Sequence, residues 1–375
     1  MKQKTNILPH NAEQSLLFIT FILVGIGIIM VYCASAFIAS TKFHDSAYFL
    51  KHQMVYGIFG IIVMWGVSKI DTAYYRISAY PLLITSCILL VLVLIPSIGL
   101  KFGGSRRWLS LASITFQPSE IAKFATILYL AYSLAKKEDT IKKFTIGILP
   151  HILVMILMAL LILSEPDLGC VIMIFAVTIT MLFISGTRIS HIIFLLVCAL
   201  PCVFYQLITV SYRLDRVNAF IYAFINPWKH AKDIGYQLLQ SLIAVGSGGI
   251  TGKGLGNGTQ KLFYLPEPHT DFIFAIVGEE VGWVGSTLLV FLFALFGFLG
   301  TKIALKAQDL FNTYLAFGIT SLIIIQAFTH FGVTLGLLPT TGITLPFISY
   351  GGTSLVMNLF FVGILLSISR SSTRR

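Results

Sequence analysis

Apolar residues fall in ten long runs, at about 15–39, 49–68, 78–96, 118–135, 146–163, 169–186, 190–208, 272–300, 311–335 and 352–369. Each approaches the roughly 20 residues that a helix needs to cross a bilayer core. The pattern predicts an all-α, polytopic membrane protein of about ten transmembrane helices. It reads as a single integral membrane domain over residues 1–375, with one large extracytoplasmic loop at 209–271. The runs within 146–186 read either as two spans or as one broken helix. No inverted internal repeat is visible. The polar stretch Met1 to Gln14 precedes a run too long for a signal-peptide core, so the first run is expected to be an uncleaved span.

Composition agrees. Of the 375 residues, 57% are apolar and 11% charged, against about 25% charged in a soluble domain, and mean hydropathy is +0.89. Disorder, a coiled coil and an ordinary soluble enzyme are excluded. The net charge of +11 is scattered over loops and termini. Its natural partners are the membrane surface and phosphates, and no nucleic acid is expected. Cys33, Cys87, Cys170, Cys198 and Cys202 lie in or beside apolar runs without a CxxC spacing. Neither a disulfide framework nor a thiolate metal site is expected.

Ten spans place both termini on one side. With the termini in the cytoplasm, fourteen basic residues fall inside (Lys2, Lys4, Lys69, Arg76, Lys136, Lys137, Lys142, Lys143, Arg188, Lys302, Lys306, Arg370, Arg374 and Arg375). Five fall in short outer loops (Lys42, Lys51, Lys101, Arg106 and Arg107). The positive-inside tendency therefore predicts cytoplasmic termini, and chemistry is sought in the outer segments 97–120, 164–168, 209–271 and 336–352.

The first outer cluster is Gly103-Gly104-Ser105-Arg106-Arg107-Trp108, followed by Phe116-Gln117-Pro118-Ser119-Glu120 and Lys123. Paired arginines suit bidentate phosphate contacts; interfacial anchoring explains them as well. Pro118 fits a first helical turn, which puts Glu120 and Lys123 at i and i+3 on one face. Ionisable residues there either line a cavity or neutralise each other as a salt bridge. In Glu165-Pro166-Asp167 the two carboxylates are few for a cation, and Asp167 reads better as an N-cap. The glycine-rich stretch Gly246–Gly258 fails the P-loop pattern. It reads as a flexible loop or as a backbone-amide nest for phosphate. In Pro266-Glu267-Pro268-His269-Thr270-Asp271, Asp271 is either the N-cap of the next helix or a general base at the membrane surface, with His269 and Glu267 as secondary candidates. The breaks at Pro339-Thr340-Thr341-Gly342 and Pro346 to Gly352 read as a re-entrant or half-helix lip.

Together, Arg107-Trp108, Phe116 to Glu120, Pro266 to Phe274 and Ser349-Tyr350-Gly351-Gly352 resemble the SEDS proteins (shape, elongation, division and sporulation). The resemblance covers essentially the whole chain. The runs Gln260 to Pro268 and Gly336 to Thr340 lean toward the division branch over the elongation branch. The resemblance implies a peptidoglycan glycosyltransferase that polymerises lipid II, a polyprenyl-pyrophosphate-linked disaccharide-peptide, at the outer face of the cytoplasmic membrane. It implies a class B penicillin-binding protein and other division proteins as partners, and a septal location. Asp271 matches the catalytic aspartate, and Glu120 and Lys123 match a charged pair lining a central cavity.

That chemistry needs a carboxylate to take the proton of the attacking sugar hydroxyl. It also needs positive charge for the leaving pyrophosphate, from Arg106, Arg107, Lys253 or a divalent cation (Mg or Mn). His269 and Ser349 complete the expected substrate-binding set. No organic cofactor is expected, and inversion at the anomeric carbon is expected, since no second nucleophilic carboxylate is evident. A lipid flippase or transporter fits the topology and the intramembrane charges too. It would carry polar residues across the whole membrane depth, whereas Glu120, Lys123 and Asp271 cluster toward one face. A non-catalytic scaffold would tolerate replacement of Asp271.

Overall fold

The ten apolar runs are ten helices in a computed structural model that describes residues 9–102, 105–111, 114–225 and 235–373. They are α1 (Pro9–Phe43), α2 (Tyr48–Val67), α3 (Thr72–Leu94), α4 (Pro118–Lys136), α5 (Leu149–Leu163), α6 (Leu168–Ile184), α7 (Ile189–Ile208), α10 (Ile273–Leu305), α11 (Leu310–Thr334) and α12 (Gly352–Thr373). Among the described residues, eight of these are long and apolar enough to cross a membrane, and α6 is a shorter apolar helix. The 146–186 region is two helices, α5 and α6. The chain is a multi-pass membrane protein. Lys2, Lys4, Gly103, Gly104, Arg374, Arg375 and the 226–234 part of the long loop lie outside the described residues.

The helices start where side chains can satisfy their free amides. Asp71, Asp167 and Asp309 accept from Ala73 N, Cys170 N and Asn312 N at the heads of α3, α6 and α11. Pro118 occupies the first turn of α4, as its missing N–H allows. α4 and α11 form the centre and are buried on most faces. α7 buries only Ile192 and Leu195 among its described side chains, so the remainder of its apolar surface is left to lipid. Small residues bring α2 and α12 together. A Cβ on Gly60 would stand 2.5 Å from Leu359 Cδ1, and one on Gly363 would stand 2.6 Å from Met64 O.

Two features of the outer segments depart from the sequence reading. The 97–120 segment contains an antiparallel sheet of three strands, β1 (Gly99–Phe102), β2 (Ser105–Leu111) and β3 (Ile114–Phe116), in the order β1-β2-β3. The strands are short, and a register shift between Leu100 and Lys101 breaks their alternation. The long loop adds two helices, α8 (Ser211–Ile225) and α9 (Tyr236–Ser247).

The expected lip at 336–352 is non-helical backbone from residue 335 to residue 351. Leu345, Phe347 and Ile348 bury it in protein. Irregular backbone at this depth is tolerated only with such cover.

An ion pair of 2.7 Å between Glu13 and Arg370 joins the start of α1 to the end of α12, so both described ends share one side. Arg76 and Asp309 pair at 2.6 Å on that side as well. The sheet, the α5–α6 turn, α8 and the 339–351 segment gather at the other end.

Candidate functional site

Asp271 stands at the meeting point of that other end. α10 begins at Ile273, and its cap position is Phe272, which makes no side-chain cap bond. The N-cap reading of Asp271 is therefore corrected: Asp271 lies one position before the cap, and its carboxylate is left for other work. The loop before it is stiffened by Pro266 and Pro268, with Phe263 and Glu267 held at φ 66° and 48°. Its apex is tied to the 339–351 segment. Ser349 Oγ donates to the Thr270 carbonyl at 2.7 Å and accepts from Leu345 N at 2.8 Å. Tyr350 N donates to the His269 carbonyl at 2.8 Å. The buried His269 ring packs 4.5 Å from Phe49, and burial lowers its pKa. Ser349 and His269 therefore build the seat of Asp271.

The Asp271 carboxylate is half-buried, and its pKa is raised to about 6, chiefly by burial and then by Glu267. Arg216, the Thr270 hydroxyl and Arg107 act in the opposite direction. Arg216 comes from α8 and donates from Nη1 to Thr340 O at 3.2 Å. Gly342 closes the wall, with φ +75°; a Cβ there would stand 3.5 Å from Asp271 Oδ2 and 4.0 Å from Arg216 Nη1. The same wall segment rests on α11, where His330 Nδ1 meets Ile343 O at 2.8 Å and Gln326 Nε2 donates to Thr344 O at 2.9 Å.

Arg107 reaches from β2 to the α5–α6 turn. Its Nε donates to Glu165 O at 2.9 Å, its Nη2 to Pro166 O at 2.6 Å, and Nη1 lies 4.0 Å from Asp167 Oδ2. It is half-buried and still bears on Asp271 electrostatically. Arg106 points from the other face of the strand and is paired in register with Lys101. Like charges directly opposite repel, so this edge of the hairpin favours an anion. Asp167 caps α6, as the spacing suggested. Glu165 is fully buried, and neither carboxylate oxygen meets a hydrogen-bond partner among the described residues. Burial and Asp167 raise its pKa to about 8, so it is neutral at pH 7.

Glu120 and Lys123 pair at 2.8 Å in the first turns of α4, with side chains 9% and 4% exposed. Lys123 Nζ also lies 3.4 Å from Gln326 Oε1. Through Gln326 this neutralised pair reaches Thr344 and so underlies the wall beside Asp271.

Lys253 is held elsewhere. It pairs at 2.8 Å with the buried Glu279, which also accepts from Thr259 N. Glu280 accepts from Gly256 N and pairs with Lys261 at 2.6 Å. The expected phosphate nest is thus filled by the protein's own carboxylates. The glycines serve close backbone approach, since a Cβ on Gly248 would stand 1.9 Å from Gly278 O and one on Gly252 2.2 Å from Glu280 O.

An open apolar groove descends from the same end between α2, α4 and α12. It is lined by Val55, Tyr56, Phe59, Ile121, Val356 and Met357, with Lys51, His52, Thr115 and Thr353 also at its walls.

Among the described residues no group of three or more His, Cys, Asp or Glu side chains could hold a metal ion. The side chains that bear on Asp271 are one carboxylate, one hydroxyl and two arginines, which do not make a cation cage.

Arg216, Gly342 and Lys261 were not among the expected site residues. Arg216 carried one signal, a cation in an outer segment against the positive-inside tendency.

Comparison with known proteins places this architecture. A family model described as a cell cycle protein, FtsW/RodA/SpoVE, matches residues 14–374. The chain is 47% identical over 343 residues to the probable peptidoglycan glycosyltransferase FtsW of Geobacter sulfurreducens, covering 92% of this chain and 91% of that one. It is 43% identical to stage V sporulation protein E of Bacillus subtilis, covering 95% and 96%. Its structure resembles a chain of a solved peptidoglycan synthase complex, described as coordinating polymerization and crosslinking. That match has a TM-score of 0.79 and 25% identity and covers 96% and 98%. The rod shape determining protein RodA of Thermus thermophilus matches with a TM-score of 0.70 and 25% identity, covering 96% and 97%.

Proposed function

This chain belongs to the FtsW/RodA/SpoVE family of cell cycle proteins, and from that premise we propose that Asp271 is the general base of a peptidoglycan glycosyltransferase that polymerises lipid II. The observation that carries the site assignment is a half-buried carboxylate, free of capping, that faces Arg216 and Arg107 where the outer segments converge. The sugar 4-hydroxyl of the acceptor attacks the anomeric carbon of the donor. Asp271 takes the hydroxyl proton. The C1–O bond breaks, and its electron pair leaves with the polyprenyl pyrophosphate. Attack opposite the leaving group inverts the anomeric centre.

Arg216 and Arg107 supply fixed positive charge toward the departing phosphates, and Arg106 with Lys101 extends it along the hairpin. The Glu120–Lys123 pair acts from beneath, through Gln326 and the wall. Any Mg or Mn ion would be held mainly by the substrate's own phosphates. The groove between α2, α4 and α12 takes the polyprenyl tail, with Lys51 and His52 at the headgroup level.

The site faces the outer side of the cytoplasmic membrane and the termini face the cytoplasm. The distribution of basic residues supports this orientation. The FtsW relatives favour a septal, division role over elongation. The synthase complex favours a class B penicillin-binding protein as partner.

The test supplies lipid II to the full-length protein with its class B partner, transpeptidation blocked. Glycan polymer whose new linkage is anomerically opposite to the donor's supports the reading. Retained configuration would require a covalent intermediate and overturn the single-base mechanism. Absence of polymer, with lipid II transport in vesicles, would move the protein to the flippase class.

A further inference from the structure

α10 is broken at Gly282, which has φ 71° and ψ −167°. A continuous helix would bond Trp283 N to Glu279 O and Val284 N to Glu280 O. The glycine-rich segment takes all four groups instead. Lys253 N and Gly254 N donate to Glu279 O and Glu280 O, each at 3.0 Å. Trp283 N and Val284 N donate to Gly249 O at 2.9 Å and Ile250 O at 3.2 Å. The break is thus fully satisfied at membrane depth.

The carboxylates above the break then bind the returning chain. Glu279 Oε1 accepts from Lys253 Nζ and Thr259 N at 2.8 Å and from Thr259 Oγ1 at 2.9 Å. Its Oε2 accepts from Gln260 N at 3.1 Å. Glu280 accepts from Gly256 N at 2.9 Å and Lys261 Nζ at 2.6 Å. Both glutamate side chains are wholly buried. Buried ion pairs add little stability over apolar packing, but losing one partner leaves the other unpaired and disrupts the local fold.

Lys261 lies ten positions before Asp271 and Glu280 nine after it. Their ion pair closes the neck of the loop that carries Asp271 near its apex, and Ser349 and Tyr350 pin that apex. We propose that Lys261–Glu280, backed by Lys253–Glu279, is a positioning clamp for Asp271, setting where the carboxylate stands without touching substrate. This rests on the reading of Asp271 as the base. A closed neck limits the conformations of the intervening chain. Small displacements of a catalytic group are costly to rate.

The experiment compares full-length wild type, Glu280→Gln, Lys253→Gln, Lys261→Arg and Asp271→Asn, each with the class B partner, lipid II and blocked transpeptidation. Glu280→Gln is expected to lower kcat by about tenfold to a hundredfold while KM for lipid II stays within about twofold. Lys261→Arg, which keeps the charge, should retain most of kcat. Lys253→Gln, at the more exposed pair, should show the same split in milder form, and it decides the matter if Glu280→Gln cannot be purified folded. An unchanged kcat in these folded variants, or a loss that falls on KM, overturns the clamp while Asp271→Asn stays inactive. Full activity of Asp271→Asn overturns instead the reading of the base.

Discussion

Gly342 and Asp271 face each other so closely that a Cβ on residue 342 would stand 3.5 Å from Asp271 Oδ2, on a backbone at φ +75°. Glycine is needed there for the left-handed conformation, and a Cβ would line the space beside the carboxylate in van der Waals contact. Gly342→Ala is expected to cost about 1–2 kcal/mol of stability from the backbone. It should also lower kcat by about tenfold or more by narrowing the space for the acceptor. Thermal denaturation and polymerisation rates of the purified variant check both. Unchanged polymerisation would place the acceptor elsewhere.

The base must be ionised to accept a proton. The pKa of Asp271 is raised to about 6, so the rate should fall as pH drops through about 6, well above the ordinary carboxylate range. Arg216 lowers this pKa. Arg216→Ala should therefore move the acid limb upward and lower the rate at pH 7, and Arg216→Lys should restore part of both. The pH dependence of kcat/KM for the three proteins is the measurement.

Glu165 predicts an effect on stability and not on chemistry. Its pKa is about 8 in the folded chain against an ordinary 4.5. The folded state holds the proton over that interval while the unfolded chain releases it. Stability is therefore full below pH 4.5 and declines as pH rises toward 8. Glu165→Gln, isosteric with the neutral acid, should flatten this decline and raise the melting temperature at pH 8 relative to wild type. Melting curves between pH 5 and 9 read it directly.

The membrane helices were legible because a span is written in composition alone: ten apolar runs became ten helices, with ends within six residues. The sheet at 99–116 was not, since strands this short, with a register shift at Leu100, show too little alternation. The glycine-rich stretch misled for a related reason. Lys253 finds Glu279 twenty-six positions away in sequence, and nothing local announces that pairing. Asp271 was ambiguous because an aspartate ahead of an apolar helix looks like a cap. What separates the two roles is Phe272 at the cap position, a matter of one residue that periodicity does not resolve. The Glu120–Lys123 pair was readable from its i, i+3 spacing, whereas its link through Gln326 to the wall required the fold.

The central claim is that the Asp271 carboxylate takes the acceptor's proton. Its most direct test is lipid II polymerisation by wild type and Asp271→Asn side by side, with the class B partner present and its transpeptidase blocked. The substitution keeps shape and removes the base. The account predicts polymer from wild type and a loss of at least about a hundredfold from a variant that melts at the wild-type temperature and still binds its partner. Polymer from both at similar rates would contradict it and take Asp271 out of the mechanism.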